Sequence, residues 1–352
     1  DQLHPSGKMS AATYDLIAPV YDQVEKREPW CAGAEPVVEI GLFTTEEHNH
    51  RHQPDETLGA VQMLQEGAYQ FDIIDSSSSF SNYRVLVLPD QIPVTRELEN
   101  KLDAYLQDGG ALIASYHSGL NLERDAFTLK ALGVTFRGEA PYSPDFIVPK
   151  GPVGQGLPET EHVMYLRGLE VVPVEGCEIL QETVTPYFNR TYAHFCSHQH
   201  TPSSGEKGYP AILRNGRCVY FSHPIFTQYH KNAPHWVKVL FHNALNLLLP
   251  DPLVQVQGPS SLMVTLNRQP DLNRLVLHLL HYIPERRAKD FDTIEDVIPL
   301  YHIPASVRTD CPVKQVRAVP QMEAIGFQQR GSRVDFNVPE INGHQMIEID
   351  LT

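Results

Sequence analysis

The chain has 352 residues, 41% of them hydrophobic and 20% charged, which suits two or three soluble domains with real cores. With 28 basic against 43 acidic residues its formal charge is −15, which argues against nucleic acid as a partner, because phosphate binding needs clustered Lys and Arg. Cys31, Cys177, Cys196, Cys218 and Cys311 form no C-x-x-C pair, so a disulfide framework and a zinc ribbon are both poor readings, and reduced thiols in a cytoplasmic protein are expected. Neither a membrane span nor a signal peptide is expected, so no membrane partner is assigned.

In chain order, a helix is predicted over 13–26, where Leu16, Ile17, Val20, Tyr21 and Val24 recur at helical spacing. It follows DQLHPSGKMS, an opening without an initiator Met. A lone amphipathic helix ahead of a domain packs on something, and the expected partner is a segment that this sequence does not include. From Pro36 short apolar strands alternate with helices. VVEIGLF (37–43), FDIIDS (71–76), YRVLVLPD (83–90) and GALIASY (110–116) read as strands, and DETLGAVQMLQEGAY (55–69) as a helix. TRELENKLDAYLQDGG (95–110) is a second helix, capped by Thr95, lined by Leu98, Leu102 and Leu106 and ended by Gly109 and Gly110. This rhythm predicts an α/β fold with a doubly wound, mostly parallel sheet.

The middle, roughly 120–210, reads as irregular and loop-rich around GEAPYSPDFIVPKGPVGQGLPET. GRCVYFSHPIF (216–226) restores the strand pattern, and HWVKVLFHNALNLLL (235–249) reads as a closing helix stopped by Pro250 and Pro252. SLMVTLNRQPDLNRLVLHLLHY (261–282) looks like two strands joined by a turn, with further strands at SRVDFNV and QMIEIDL. The tail is expected to be a small β-sandwich. The division is 1–35 as a linker segment, 36–250 as the α/β domain and 251–352 as the β domain.

In open parallel sheets, ligand crevices form outside the carboxyl ends of the strands. TTEEHNHRHQ (44–53), Asp90, Tyr116-His117-Ser118-Gly119 and Ser222-His223-Pro224 all take that position here, making a histidine-rich rim. A class I glutamine amidotransferase would need a cysteine on a tight turn of this rim, and neither 88–90 nor 115–118 has one. The serine-hydrolase elbow is missing the glycine ahead of His117-Ser118-Gly119. A nucleotide site would want glycines after the first strand, where the chain is acidic. Asp90 and Glu46-Glu47 are the local carboxylates, and a lone rim carboxylate is ordinarily just solvated.

The densest polar run is PYFNRTYAHFCSHQHTP (186–202). If extended, it would put His194, Cys196, His198 and His200 on one face, a possible but poorly surrounded zinc site. The competing reading is a sugar-facing segment. Asn189, Arg190 and the histidines supply donors and acceptors, while Tyr187, Phe188, Tyr192 and Phe195 supply flat faces. No metal and no cofactor is assigned.

YRVLVLPDQIPVTRELENKLDAYLQDGGALIASYHSG resembles the β-galactosidase trimerisation domain, an amidotransferase-like (flavodoxin-like) α/β module that follows the catalytic barrel in several glycoside hydrolases. The first thirty residues resemble the end of a (β/α)8 barrel, and PYFNRTYAHFCSHQHTP resembles a segment of fucosidase-like glycoside hydrolases. The resemblance implies a non-catalytic C-terminal portion of a glycoside hydrolase, its partners being the missing barrel, the parent enzyme's carbohydrate substrate and further copies in a homo-oligomer. Catalysis in such enzymes needs two carboxylates at the barrel mouth, and this chain names neither, although Asp1, Gln2 and His4 would lie near it. Asn189, Arg190, His194, His198, His200, His117 and His223 are the candidate substrate-binding residues. The rival reading is a stand-alone carbohydrate- or metal-binding protein that uses the histidine-rich rim.

Overall fold

The computed structural model describes residues 4–50 and 52–352, so the expectations placed on Asp1, Gln2 and Arg51 lie outside the described residues. The chain forms two compact units, one of residues 38–252 and one that joins residues up to Val37 with Leu253–Thr352.

Helix α1 (Ala11–Arg27) forms where the periodicity places it, yet it buries none of its side chains. Leu16, Val20, Tyr21 and Val24 are each at least 59% exposed. After it, Trp30 is buried against Val276, Val319 and Met346, which ties the N-terminal segment to the C-terminal strands.

The α/β unit is a nine-stranded sheet. In chain order its elements are β1 (Ile40–Phe43), helix α2 (Asp55–Glu66), β2 (Phe71–Ile74), β3 (Val85–Leu88), α3 (Arg96–Gln107) and β4 (Ala111–Ser115). A separate pair, β5 (Val134–Glu139) with β8 (Leu169–Pro173), brackets β6 (Asp145–Ile147) and β7 (His162–Met164). The unit closes with β9 (Glu178–Pro186), β10 (Ser203–Asn215), β11 (Cys218–Phe221), α4 (Ile225–Asn232) and α5 (His235–Leu248). The strand order is β2-β1-β3-β4-β11-β10-β9-β6-β7. The first five strands run parallel, and the pairings from β11 to β7 are antiparallel. The sheet is therefore mixed.

Alternation along the apolar strands divides the core. Ile40, Leu42, Val87, Ile113 and Phe221 join Met63 of α2, Phe226 of α4 and Phe241 of α5. Their neighbours Phe43, Leu86, Leu88, Leu112 and Tyr220 join Leu98 and Leu102 of α3 in a second cluster. The predicted cap of α3 is present, with Thr95 Oγ1 accepting from Leu98 N at 3.2 Å. Gly109 ends the helix at φ +91°, a conformation that suits glycine.

Two expectations need correction. The middle is not loop-rich, since 120–210 holds β5–β9 and much of β10. These strands are short or half-exposed and interrupted by Pro and Gly, so the chain there shows no apolar run. The strand expected over 216–226 is only β11, and α4 starts at Ile225. Its first turn is capped from a distance by Asp90, which local sequence cannot reveal.

The β-rich unit holds β12 (Val254–Val256), β13 (Leu262–Gln269), β14 (Arg274–His281), β15 (Leu300–Arg308), β16 (Val313–Val319), β17 (Phe327–Arg330), β18 (Arg333–Ile341) and β19 (His344–Leu351). A six-stranded sheet runs Glu35–Pro36, β13, β14, β19, β16, Glu323–Ala324, and a four-stranded one runs β12-β15-β18-β17. The turn expected within 261–282 joins β13 to β14. Buried Glu348 of β19 accepts from Trp30 Nε1 at 2.6 Å, Arg274 Nη1 at 2.6 Å and Arg317 Nε at 2.9 Å. Burial alone would push this carboxyl up, but the bonds from Trp30 and Arg317 and the two arginine charges outweigh it and hold the group below its ordinary range.

Candidate functional site at the carboxyl edge of the sheet

Two adjacent parallel strands end in left-handed residues, β3 in Asp90 at φ +43° and β4 in Tyr116 at φ +52°. Such a conformation is strained for a residue with a side chain and reverses the chain sharply. Neither turn carries a thiol. Asp90 is not a solvated rim carboxylate as expected; it is wholly buried. Its carboxylate accepts from Ser115 Oγ at 2.7 Å and from both the backbone N and Oγ1 of Thr227 at 2.7 Å. It therefore ties two strand ends to the first turn of α4. Burial pushes its carboxyl up to about 6 against the pull of these bonds. Glu46 and Glu47 are also engaged, bonding Gln53 N and Ser76 N at 2.9 and 3.0 Å.

His117 follows Tyr116, with the two rings tilted and 3.9 Å apart between centroids. Its Nδ1 is buried without a hydrogen-bond partner among the described residues. Burial, and then the charge of Arg124, lowers its imidazole to about 4. The folded protein binds this proton less readily than the unfolded chain does. Its contribution to stability is thus intact above pH 6.5 and is lost as pH falls toward 4. An NMR titration of the His117 ring, assigned with H117Q, is expected to show a midpoint near 4. A midpoint at or above the ordinary 6.5 would contradict this burial.

His223, just after β11, is buried in a different network. Its Nε2 lies 2.9 Å from Asp145 Oδ1 and 3.2 Å from the Tyr209 hydroxyl, which in turn donates to Asp145 Oδ2. Its Nδ1 is 3.3 Å from Ser222 Oγ. Burial and the Asp145 charge push the Tyr209 phenol far up, so it stays a donor. Gly168 passes so close that a Cβ there would lie 2.9 Å from both the His223 ring and the Tyr209 hydroxyl.

The run 186–202 joins β9 to β10. β10 pairs with β11 only through 212–215, so residues 203–211 carry the arm up to about 30 Å past the carboxyl end of β11 at ordinary strand rise. The alternating one-face arrangement of His194, Cys196, His198 and His200 does not form. The segment is a series of bends and irregular backbone, and the Cys196 thiol lies toward the carbonyls of His198 and His200 at 3.7 and 3.8 Å. Arg190 Nη1 donates to the carbonyls of His198 and Gln199 at 2.8 and 2.9 Å, closing the run on itself. Among the described residues, no three His, Cys, Asp or Glu side chains gather to hold a metal ion.

Asn189 anchors the run, donating to Pro141 O at 2.7 Å and accepting from Ser143 N at 3.0 Å. Asp145, two residues on, is the partner of His223. The His200 ring lies 5.7 Å from Tyr165, itself 6.0 Å from Trp236. His194 and His198 stay exposed, as do Tyr187, Tyr192 and Phe195. Thus 141–145 links the run to His223, while His117 belongs to the Asp90–Tyr116 turns. Sequence reasoning missed Asp145, Tyr209 and Thr227. No local signal could have found them, because each acts on a residue far away along the chain.

Residues 61–137, from the middle of α2 to β5, match the family described as the β-galactosidase trimerisation domain. The Asp90 and Tyr116 turns both lie within this matched segment, whereas the 186–202 arm lies beyond it. The whole chain is similar to part of the α-L-fucosidase isoenzyme 2 from Paenibacillus thiaminolyticus, with 35% identity, a TM-score of 0.95, and coverage of 100% of this chain and 54% of that one. A β-galactosidase from Bacillus circulans sp. alkalophilus shares the fold at 13% identity and TM-score 0.63, over 99% of this chain and 46% of its own. One from Rahnella sp. R3 does so at 12% identity and TM-score 0.63, over 99% and 46%. The chain thus spans about half the length of this fucosidase and these β-galactosidases. No curated protein matches it. Among the described residues no helix is long and apolar enough to cross a membrane.

Proposed function

We propose that this chain is the C-terminal, non-catalytic portion of a cytoplasmic glycoside hydrolase whose parent acts on α-L-fucosides, and that it organises subunits and lends the 186–202 run to a sugar pocket. The observation that carries this reading is the 35% identity along the full chain to about half of an α-L-fucosidase, together with the trimerisation-domain match. The exposed apolar stripe of α1 supports a (β/α)8 barrel as the neighbour that covers it. The doubly wound sheet, the β-sandwich and the three-part division at 35 and 250 belong to the same proposal. The five free cysteines fit the cytoplasmic placement.

In the run, Arg190 acts as a positioning residue that holds the carbonyls of His198 and Gln199, while His194 and His198 present exposed imidazoles, that of His194 6.2 Å from the Phe188 ring. Asn189 and His200 fasten the run, while the buried His223 and the half-buried His117 shape the rim of the sheet. This chain by itself is expected to release no product above background from an aryl α-L-fucoside, since the two carboxylates such chemistry needs belong to the barrel. Turnover that survives repurification and vanishes in a single Asp or Glu variant of this chain would overturn the reading. Joined to its barrel, the enzyme carrying Arg190→Ala is expected to lose at least tenfold in kcat/KM while keeping its melting temperature. Unchanged kinetics would reduce the run to packing.

A further inference from the structure

The amino edge of the same sheet carries a cavity of about 430 Å³ that the carboxyl-edge site does not use. Arg84, Gly110 and Arg217 immediately precede β3, β4 and β11, three neighbouring parallel strands. The two arginines therefore stand two strand spacings apart, about 10 Å, with a residue lacking a side chain between them. Tyr105 enforces that gap, because its ring would lie 2.2 Å from a Cβ at Gly110. Lys101 joins the lining, its Nζ 4.3 Å above the Phe80 ring and bonded to the carbonyls of Ser76 and Ser78. Asp108 is the one acidic residue of the wall. The lining thus carries three cations and one carboxylate, with Arg84 also paired to Glu39 outside the lining, in a chain whose overall charge is −15.

Cations here could simply satisfy carbonyls at the end of α3, and Arg217 Nε does bond Gly110 O at 3.0 Å. A guanidinium has five N–H donors in a fixed fork, and the Nη groups of Arg217 have no hydrogen-bond partner among the described residues. Arg84 is 42% exposed along its side chain and uses Nη1 alone, on Glu39 and on the Asp251 carbonyl. The unpartnered Nη groups of Arg217, in the lining of a hollow with aromatic walls and the hydroxyls of Ser79 and Ser81, amount to more than capping. We propose that this cavity binds a small anion, a phosphate or carboxylate carried on a body the size of a monosaccharide, with Arg217 as the principal fork and Phe80 and Tyr105 as the walls.

Calorimetric titration of the intact chain with glucose 6-phosphate, glucuronate, inorganic phosphate and glucose tests this. Glucose 6-phosphate or glucuronate is expected to saturate one site per chain, and whichever does so separates the phosphate source from the carboxylate source. Inorganic phosphate and glucose should each bind at least tenfold more weakly than that ligand. Arg217→Gln should weaken binding at least tenfold, and Ser81→Trp, placed at the exposed mouth, should do the same while leaving the melting temperature unchanged. Absence of saturable binding by both charged sugars, affinity unaffected by either variant, or inorganic phosphate binding as tightly as the sugar would each overturn the proposal.

Discussion

Replacing Gly59 with alanine is expected to destabilise the α/β unit by about 3 kcal/mol, the cost of overpacking a rigid contact. At an exposed interior position of a helix the same change would stabilise by about 1 kcal/mol, so the sign is diagnostic. The cause is geometric. A Cβ at Gly59 would lie 2.0 Å from the carbonyl oxygen of Phe226 and 2.8 Å from its carbonyl carbon. Those are backbone atoms of α4, which cannot rotate away as a side chain could. Helix α4 would have to move, and Asp90 holds its first turn through Thr227. The strain would thus be transmitted to the strand ends at the carboxyl edge. Chemical denaturation of G59A measures the loss, and stability equal to or above the parent's would refute the close crossing of α2 and α4.

The second large effect belongs to Glu348. Its carboxylate collects Trp30, Arg274 and Arg317, and Glu348→Leu would leave two guanidinium groups and an indole without their acceptor. Removing one partner of a buried ion pair costs about 3–5 kcal/mol, and partial exposure of the arginines puts this case near the lower end. Because the folded carboxyl is held below its ordinary value, its contribution is present above the unfolded pKa and is lost as pH falls through the folded one. E348L should therefore lose most relative to the parent at neutral pH, and the gap should narrow in acid. A gap independent of pH would mean that the loss is one of packing alone.

These two residues also mark what the sequence could and could not reveal. Four of the five parallel strands were legible because they are buried on both faces and read as apolar runs, as VLVL and ALIAS do, while the edge strand β2 (FDII) is half-exposed. Helix α3 was legible through Thr95, its leucine spacing and its terminal glycines. The antiparallel half was not, because β9 and β10 are half-exposed arms whose residues, such as EILQETVTP, alternate imperfectly around register shifts. Helix α4 escaped notice because IFTQYHKN begins on apolar residues and takes its cap from Asp90, 135 positions before Ile225. In the candidate site the histidines stood out by type, but their states did not. His223 is fixed by Asp145 and Tyr209, and His117 by burial and Arg124, all supplied by tertiary packing. The one-face arrangement of His194, Cys196, His198 and His200 presumed an extended strand, whereas Arg190 curls the segment onto its own carbonyls.

The central claim is that this chain organises subunits of a glycoside hydrolase. Sedimentation equilibrium of the purified chain over a hundredfold range of concentration tests it most directly. The account predicts a discrete homo-oligomer, with a mass that is a whole multiple of the chain's own and returns to lower multiples on dilution. A monomer throughout that range would contradict it.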